Sequence, residues 1–437
     1  MNDVSAGPRA VNDDDASGAA PVIACHECGT VQHMRALPEG GAARCSRCGA
    51  MLYRERRDSI EHALLLALAA LILFVIANTF PFLTFELEGR ADTSTLLSGA
   101  RSLYEDGMWP LALLVLLTAT VVPLVWLLSV TYVLLPVRLG RLPWRIADVF
   151  RFTELLRPWA MMEVYLLGVI VAYVKLSELA RLELGIALFA FVGLIVVMIA
   201  AEAALEPHEI WRRLGPQASA RQLGGPRGRA LISCHNCDQL AVMRPLPAGA
   251  AAHCPRCGTI LHRRKPNSLG RTWALVVAAA ILYIPANLLP VMTVVYFGRG
   301  EPDTILSGVK ELIQAGMWPV ALLVFFASIT VPVLKLIGLT FLLITVQRRS
   351  RWRLRDRGLI YRIIEQVGRW SMVDIFMISI LVALVNLGSI ATIEPGAGAI
   401  CFAAVVIITM FASMSFDPRL IWDAEESSDA EGTPVRA

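Results

Sequence analysis

The sequence predicts an α-helical polytopic membrane protein of eight transmembrane helices, built as a tandem (parallel) duplication of a four-helix unit, each unit preceded by a small cysteine-rich ribbon. Three observations carry this reading. The mean hydropathy is +0.59, with 56% apolar and 17% charged residues among 437, which is wrong for an ordinary soluble domain. Several nearly uncharged runs exceed about eighteen residues, enough to cross roughly 30 Å of hydrocarbon. Two sets of four cysteines recur at a constant offset of 209 (234 − 25).

Taken in order, residues 1–20 are polar and include Asp13, Asp14 and Asp15. They read as a disordered tail and lack the pattern of a cleavable signal peptide. A ribbon over 21–55 holds Cys25, Cys28, Cys45 and Cys48. The first transmembrane unit, 56–211, places helices at 62–82, 109–136, 160–176 and 184–202. A linker over 212–230 leads to the second ribbon, 231–265, with Cys234, Cys237, Cys254 and Cys257. The second unit, 266–422, places helices at 272–293, 318–346, 371–390 and 397–416, and 423–437 is a second disordered tail.

Charge sets the orientation. The segments 1–61, 137–158, 203–271, 347–369 and 417–437 hold 33 of the 40 Lys and Arg residues, whereas the alternate connections hold five, against eleven acids. By the positive-inside rule both termini and both ribbons are cytoplasmic. The net charge of +4 is therefore a skew of arginines toward one face, aided by anionic headgroups, and not a nucleic-acid footprint.

The duplication extends beyond the cysteines. "NTFP" (Asn78–Pro81) recurs as "NLLP" (Asn287–Pro290), and "SGARSLYEDGMWP" recurs as "SGVKELIQAGMWP", all at 209. After a slip to 211, Trp159 matches Trp370, Glu163 matches Asp374, and "EPHEIW" matches "DPRLIW". Four helices per unit give both halves one topology, related by an axis along the membrane normal. The Asn-x-x-Pro element, near the outer end of each unit's first helix, combines a helix-breaking Pro with an Asn able to satisfy freed backbone groups and reads as a kink. "GMWP" predicts a helix start, with Trp at the membrane interface.

Each Cys-x-x-Cys…Cys-x-x-Cys set has the spacing of a structural Zn2+ site, closed by four thiolates. A reducing cytoplasm argues against disulfides, and the same ligands also suit a single iron ion. His26, His33, His235 and His253 lie nearby, but the cysteine sets are complete and these histidines are expected at the surface. Between Cys25 and Cys48 stand only three arginines and no aromatic residue, so a base-stacking ribbon is disfavoured. Cys401, inside the last helix, reads as packing.

Ionisable residues inside transmembrane helices are expensive and are candidates for function. Lys335 lies mid-helix and Asp374 about one turn into the next; if those helices are antiparallel neighbours, the two can pair. Lys175 and Glu178 stand at i and i+3, a spacing that allows an ion pair. The alternative for each is a structural bridge, and Lys175 can also snorkel to the interface. At the repeat offsets Lys335 faces Trp126, and Lys175 faces Asn386, so the cationic positions differ between halves. No phosphate-binding loop, nucleophile elbow or zinc-protease helix occurs in the sequence, which predicts a protein that is not an enzyme.

The duplicated ribbons, "NTFP"/"NLLP" and the two "GMWP"-ending segments resemble the paraquat-inducible protein A family, including its lipophilic-envelope-spanning-tunnel branch, over roughly residues 21 to 423. The resemblance implies a Gram-negative inner-membrane protein that passes phospholipid or other lipid between that membrane and a periplasmic MCE-domain tunnel protein. It also implies a polar network in the transmembrane core, for which Lys175, Glu178, Lys335 and Asp374 are the fitting positions; Glu178 departs from the family's preferred Asp. Two other readings stay open: a scaffold that anchors the tunnel protein and moves nothing, and a zinc or redox sensor.

Overall fold

The structure, a computed structural model, describes residues 22–35, 37–56, 58–87, 90–141, 143, 145–176, 181–215, 231–242, 252–296, 299–385 and 391–423. The expected tails, most of the 212–230 linker, Glu178, Asn386 and the side chain of Lys175 lie outside them. Contacts divide the chain into two compact units, Met1–Arg57 with Glu206–Arg263, and Asp58–Leu205 with Arg264–Ala437.

The first unit contains both ribbons. Hairpins β1 (Val22–Ala24)–β2 (Val31–His33) and β3 (Ala42–Arg44)–β4 (Met51–Arg54) form one ribbon, and β8 (Leu231–Ser233)–β9 (Leu240–Val242) begins the other. The ribbons pack on each other through Val22, Ala24 and Leu240, an apolar contact between two modules too small to have much core of their own. Helix α7 (Pro207–Leu214) joins them: its Trp211 carbonyl accepts from Arg256, and its His208 ring lies 5.6 Å from that of Tyr53.

The second unit carries eight helices long and apolar enough to cross a membrane: Ser59–Thr79, Trp109–Arg138, Ile146–Val174, Ile186–Ala204, Ser268–Leu288, Trp318–Gln347, Leu354–Leu384 and Ala397–Ser415. These match the expected eight, displaced by a few residues at most ends. The third and seventh begin earlier than expected because each is preceded by an amphipathic helix, α4 (Ile146–Leu156) before α5 (Met162–Leu176), and α11 (Leu354–Val367) before α12 (Val373–Leu384). The others are α1 (Ser59–Thr79), α3 (Trp109–Arg138), α6 (Ile186–Ala204), α8 (Ser268–Leu288), α10 (Trp318–Gln347) and α13 (Ala397–Ser415).

The repeated motifs have matching local structure. Asn78 and Asn287 each donate from Nδ2 to the carbonyl four residues back, at 2.8 Å, in the last turn of α1 and of α8. The helices end there, at Thr79 and Leu288, before Pro81 and Pro290, and do not run on through a kink. Short helices α2 (Ser98–Glu105) and α9 (Ile305–Gln314) close on Gly107 and Gly316, whose φ values of 78° and 77° favour a residue without Cβ. Trp109 and Trp318 then open α3 and α10 and remain exposed. Both long helices contain one π turn, Leu117–Val121 and Phe326–Thr330.

Several connections between the spans contain short strands. β5 (Leu83–Leu87), β6 (Arg90–Ser94) and β7 (Arg181–Leu184) form an antiparallel sheet in the order β6-β5-β7. β10 (Met292–Tyr296), β11 (Arg299–Asp303) and β12 (Ala391–Pro395) form a second, in the order β11-β10-β12. The first sheet joins the connection after the first span to the one between the third and fourth, and the second joins the connection after the fifth span to the one between the seventh and eighth. In the most apolar 18 residues of the seventh span 88% of positions are buried, against 22% to 56% in the same window of the other seven. That span's second part, α12, packs against α2 and α5 from the other half of the sequence, and so forms the interior of the bundle.

Candidate functional site

The four sulfurs of each cysteine set converge as their spacing predicts. Cys25 Sγ lies 3.5 Å from Cys48 Sγ and Cys28 Sγ 3.5 Å from Cys45 Sγ; the second set gives 3.4 Å for Cys234–Cys257 and 3.5 Å for Cys237–Cys254. Within each set all four sulfurs fall within 4.8 Å of one another, and all are buried. A tetrahedron of thiolates about 2.3 Å from Zn2+ needs sulfurs roughly 3.8 Å apart, so both sets fit the ion. Gln32 Nε2 approaches Cys45 Sγ at 3.1 Å, as an outer-shell donor to a ligating thiolate would. Burial pushes the Cys48 thiol up to about 12, and a cation supplies the charge that keeps such a set ionised. The four neighbouring histidines are exposed and outside both clusters.

Inside the bundle, two glycines let α12 approach its neighbours. A Cβ on Gly99 of α2 would lie 2.9 Å from the Ser379 carbonyl oxygen, and one on Gly168 of α5 would lie 2.9 Å from Phe376 Cβ. Tyr165 stacks edge-on against Phe376, with ring centroids 5.3 Å apart. This packing holds the start of α12, and with it Asp374, in the interior.

Lys335 and Asp374 are both buried, with 1% and 3% exposure. Their expected pairing does not occur. Lys335 Nζ donates to Thr409 Oγ1 of α13 at 2.8 Å, and neither carboxylate oxygen of Asp374 has a hydrogen-bond partner. Ser328, in the π turn of α10, neighbours Asp374, but its hydroxyl donates to the Val324 carbonyl at 2.6 Å. Gly368 borders the lysine amine; a Cβ there would stand 3.2 Å from Nζ. Asp374 instead lines a narrow cleft of about 40 Å³ whose walls include Asp303, Thr304, Gly308, Val324 and Met377. The arrangement is thus a carboxylate without an ion-pair partner at a narrow, largely apolar cleft, with a hydroxyl-bound lysine elsewhere in the same bundle.

Of the other expected network members, Glu178 and the Lys175 side chain fall outside the described residues. Glu163, matched to Asp374 by sequence, is exposed, and Trp126, matched to Lys335, is 1% exposed. Sequence reasoning missed Thr409 and Ser328. Each is a lone hydroxyl residue in an apolar run, and such residues commonly bond their own helix backbone; Thr409 also does so, to Val406 O at 2.9 Å.

Eight apolar spans around buried charges, with two four-thiol sites able to bind metal, define a multi-pass helical membrane protein. The chain belongs to the paraquat-inducible protein A family: the model of the family described as "Paraquat-inducible protein A" matches residues 60–215 and 269–426. It is similar to "Intermembrane transport protein PqiA" of Escherichia coli (strain K12), 36% identical over 419 residues, covering 94% of this chain and 98% of that one. It is also similar to "Lipophilic envelope-spanning tunnel protein A" of the same strain, 32% identical over 406 residues, with 93% and 92% covered. A "Probable intermembrane transport protein" of Haemophilus influenzae is 29% identical over 408 residues, with 92% and 95% covered. No solved structure matches the chain. These relatives support a role in transport between membranes of the cell envelope.

Proposed function

We propose that this protein is a non-enzymatic lipid carrier of a bacterial inner membrane, which loads phospholipid or another lipid onto, or receives it from, a periplasmic MCE-domain tunnel protein. On this reading the bundle is a tandem duplication of a four-helix unit, and the ribbons are cytoplasmic zinc clasps that serve structure. The strand sheets and the helices α2 and α9 then face the periplasm and form the docking surface. Several matched features support duplication. The π turns begin 209 residues apart (326 − 117). The Arg54 backbone N–H donates to Glu206 at 3.4 Å, as that of Lys265 does to Asp417 at 2.9 Å, each across 152 residues.

The observation that carries the carrier reading is Asp374: a buried carboxylate with no cation paired to it among the described residues and only the Ser328 hydroxyl, itself bonded to Val324, named beside it, in an apolar cleft, within a chain whose relatives are named for intermembrane transport. Leaving such a group unsatisfied costs free energy that a purely structural residue has no reason to incur. A polar headgroup entering the cleft would satisfy it. The test is transfer of labelled phospholipid between vesicles holding the purified protein and its tunnel partner. Asp374→Asn should reduce transfer at least tenfold while insertion and partner binding persist. A complex that forms but transfers no lipid even with the wild-type chain would favour a scaffold, and full transfer by Asp374→Asn would remove Asp374 from the mechanism.

A further inference from the structure

The buried charge left unexplained by the carrier reading is Arg357, in the first turn of α11. It is 1% exposed. Its Nη2 donates to the carbonyls of Ser350 at 2.8 Å and Ile421 at 3.3 Å, but Nε and Nη1 have no hydrogen-bond partner. At the 211-residue offset that matches Trp159 with Trp370, the other half has Ile146, also buried, at 4% exposure. An apolar side chain therefore suffices at this place in the fold, and a guanidinium here is a cost that packing does not demand.

Arg357 lines a cleft of about 390 Å³, together with Arg349, Ser350 and Asp423, over an apolar floor that includes Leu269 and Val346. The one acid of the lining, Asp423, is already held by Arg264, whose Nε lies 3.2 Å from both carboxylate oxygens. The lining thus holds two arginines, Arg349 and Arg357, against one acid, Asp423, which is shared with Arg264 from outside the cleft. Leu269 is the second residue of α8 and Val346 the last but one of α10, so the cleft lies where two apolar spans end, at the depth of lipid headgroups.

We propose that this cleft binds a phosphate group, with Arg357 and Arg349 as its ligands, and that the phosphate belongs to an anionic phospholipid. A guanidinium fork matches phosphate oxygens geometrically, and basic pockets between transmembrane helices are suited to such headgroups. This site is distinct from the Asp374 cleft and shares no lining residue with it.

The test uses the full-length protein in nanodiscs of phosphatidylcholine doped with phosphatidylglycerol or cardiolipin, with retained lipid counted by native mass spectrometry. A parallel arm titrates inorganic phosphate and follows thermal unfolding. The wild-type chain should retain anionic lipid. Arg357→Ile, which restores the residue of the other half, should weaken retention roughly tenfold to a hundredfold, as expected for lost hydrogen bonds to a charged group. Arg349→Ala should weaken it less. A thermal shift with inorganic phosphate and no lipid retention, lost in Arg357→Ile, supports the phosphate site and identifies a free phosphate as its source. Equal lipid retention and equal phosphate response in wild type and Arg357→Ile overturn the proposal. If Arg357→Ile fails to insert, an unchanged Arg349→Ala overturns it, because Arg349 is exposed and its removal leaves the core intact.

Discussion

Replacing Lys335 with methionine distinguishes a working charge from a structural strut. The residue is 1% exposed, and its amine donates one hydrogen bond among the described residues, at 2.8 Å to Thr409 Oγ1. A hydrogen bond to a charged group is worth about 1.5–3 kcal/mol, whereas the effective cost of burying an ion is several kcal/mol. With no carboxylate paired to it among the described residues, the balance falls against the charge. Methionine is unbranched and adaptable enough to fill the space. Thr409 keeps its own bond to the Val406 carbonyl, so the substitution strands no partner. Lys335→Met should therefore stabilise the bundle by on the order of 1–3 kcal/mol, seen as a rise of a few degrees in the unfolding temperature in matched nanodiscs. Lipid transfer should fall at least tenfold in the same preparation. A drop of several degrees with transfer intact would refute this reasoning and make Lys335 a strut.

Three further outcomes are expected. Elemental analysis should find two zinc ions per chain; Cys28→Ser should remove one, and chelation should unfold the ribbons, since structural zinc contributes about 10 kcal/mol or more to such modules. Gly168→Leu should destabilise the bundle by at least about 1–3 kcal/mol, because even its Cβ would sit 2.9 Å from Phe376 Cβ; an unchanged unfolding temperature would contradict the close contact of α5 with α12. Burial pushes the Asp417 carboxyl up, but the Arg419 guanidinium and the Lys265 backbone N–H outweigh this and hold it below the usual range. Its contribution is thus present above the unfolded value near 3.9 and lost as pH falls through the folded one. Asp417→Asn should cost about 1–3 kcal/mol at neutral pH, and its unfolding temperature should converge on that of the wild type below about pH 4.

What the sequence made legible were features written locally. The eight spans follow from apolar run length, the thiol tetrahedra from Cys-x-x-Cys spacing, and the starts of α3 and α10 from Gly-Met-Trp-Pro. Less legible were features that depend on rotation and long-range packing. Adjacency of two antiparallel helices does not fix which face each presents, and a helix turns about 100° per residue; Lys335 therefore reaches Thr409 on α13 and not Asp374. The two sheets were hidden because each strand is only four or five residues long and β5 and β10 pair with strands about a hundred residues away. The central place of α12 was hidden too, since its partners Gly99 and Gly168 signal close approach only once the neighbouring helix is known.

On the proposed duplication, the two copies sort residues into those the scaffold requires and those it does not. The π turns, the Asn-to-carbonyl bonds and the acid-to-backbone bonds of Glu206 and Asp417 occur at matched positions in both halves. The interior charges do not: Lys335 answers to buried Trp126, buried Asp374 to exposed Glu163, and Arg357 to buried Ile146. The glycines of the repeated Ser-Gly pair diverge in the same way. Gly99 is covered by α12, whereas Gly308 has nothing within 4 Å of a built Cβ and opens on the Asp374 cleft. A fold that stands with Trp126 and Ile146 in one half has no structural need of Lys335 and Arg357 in the other. The three charges and the open glycine lie in the second copy, so loss of function without loss of stability should concentrate there.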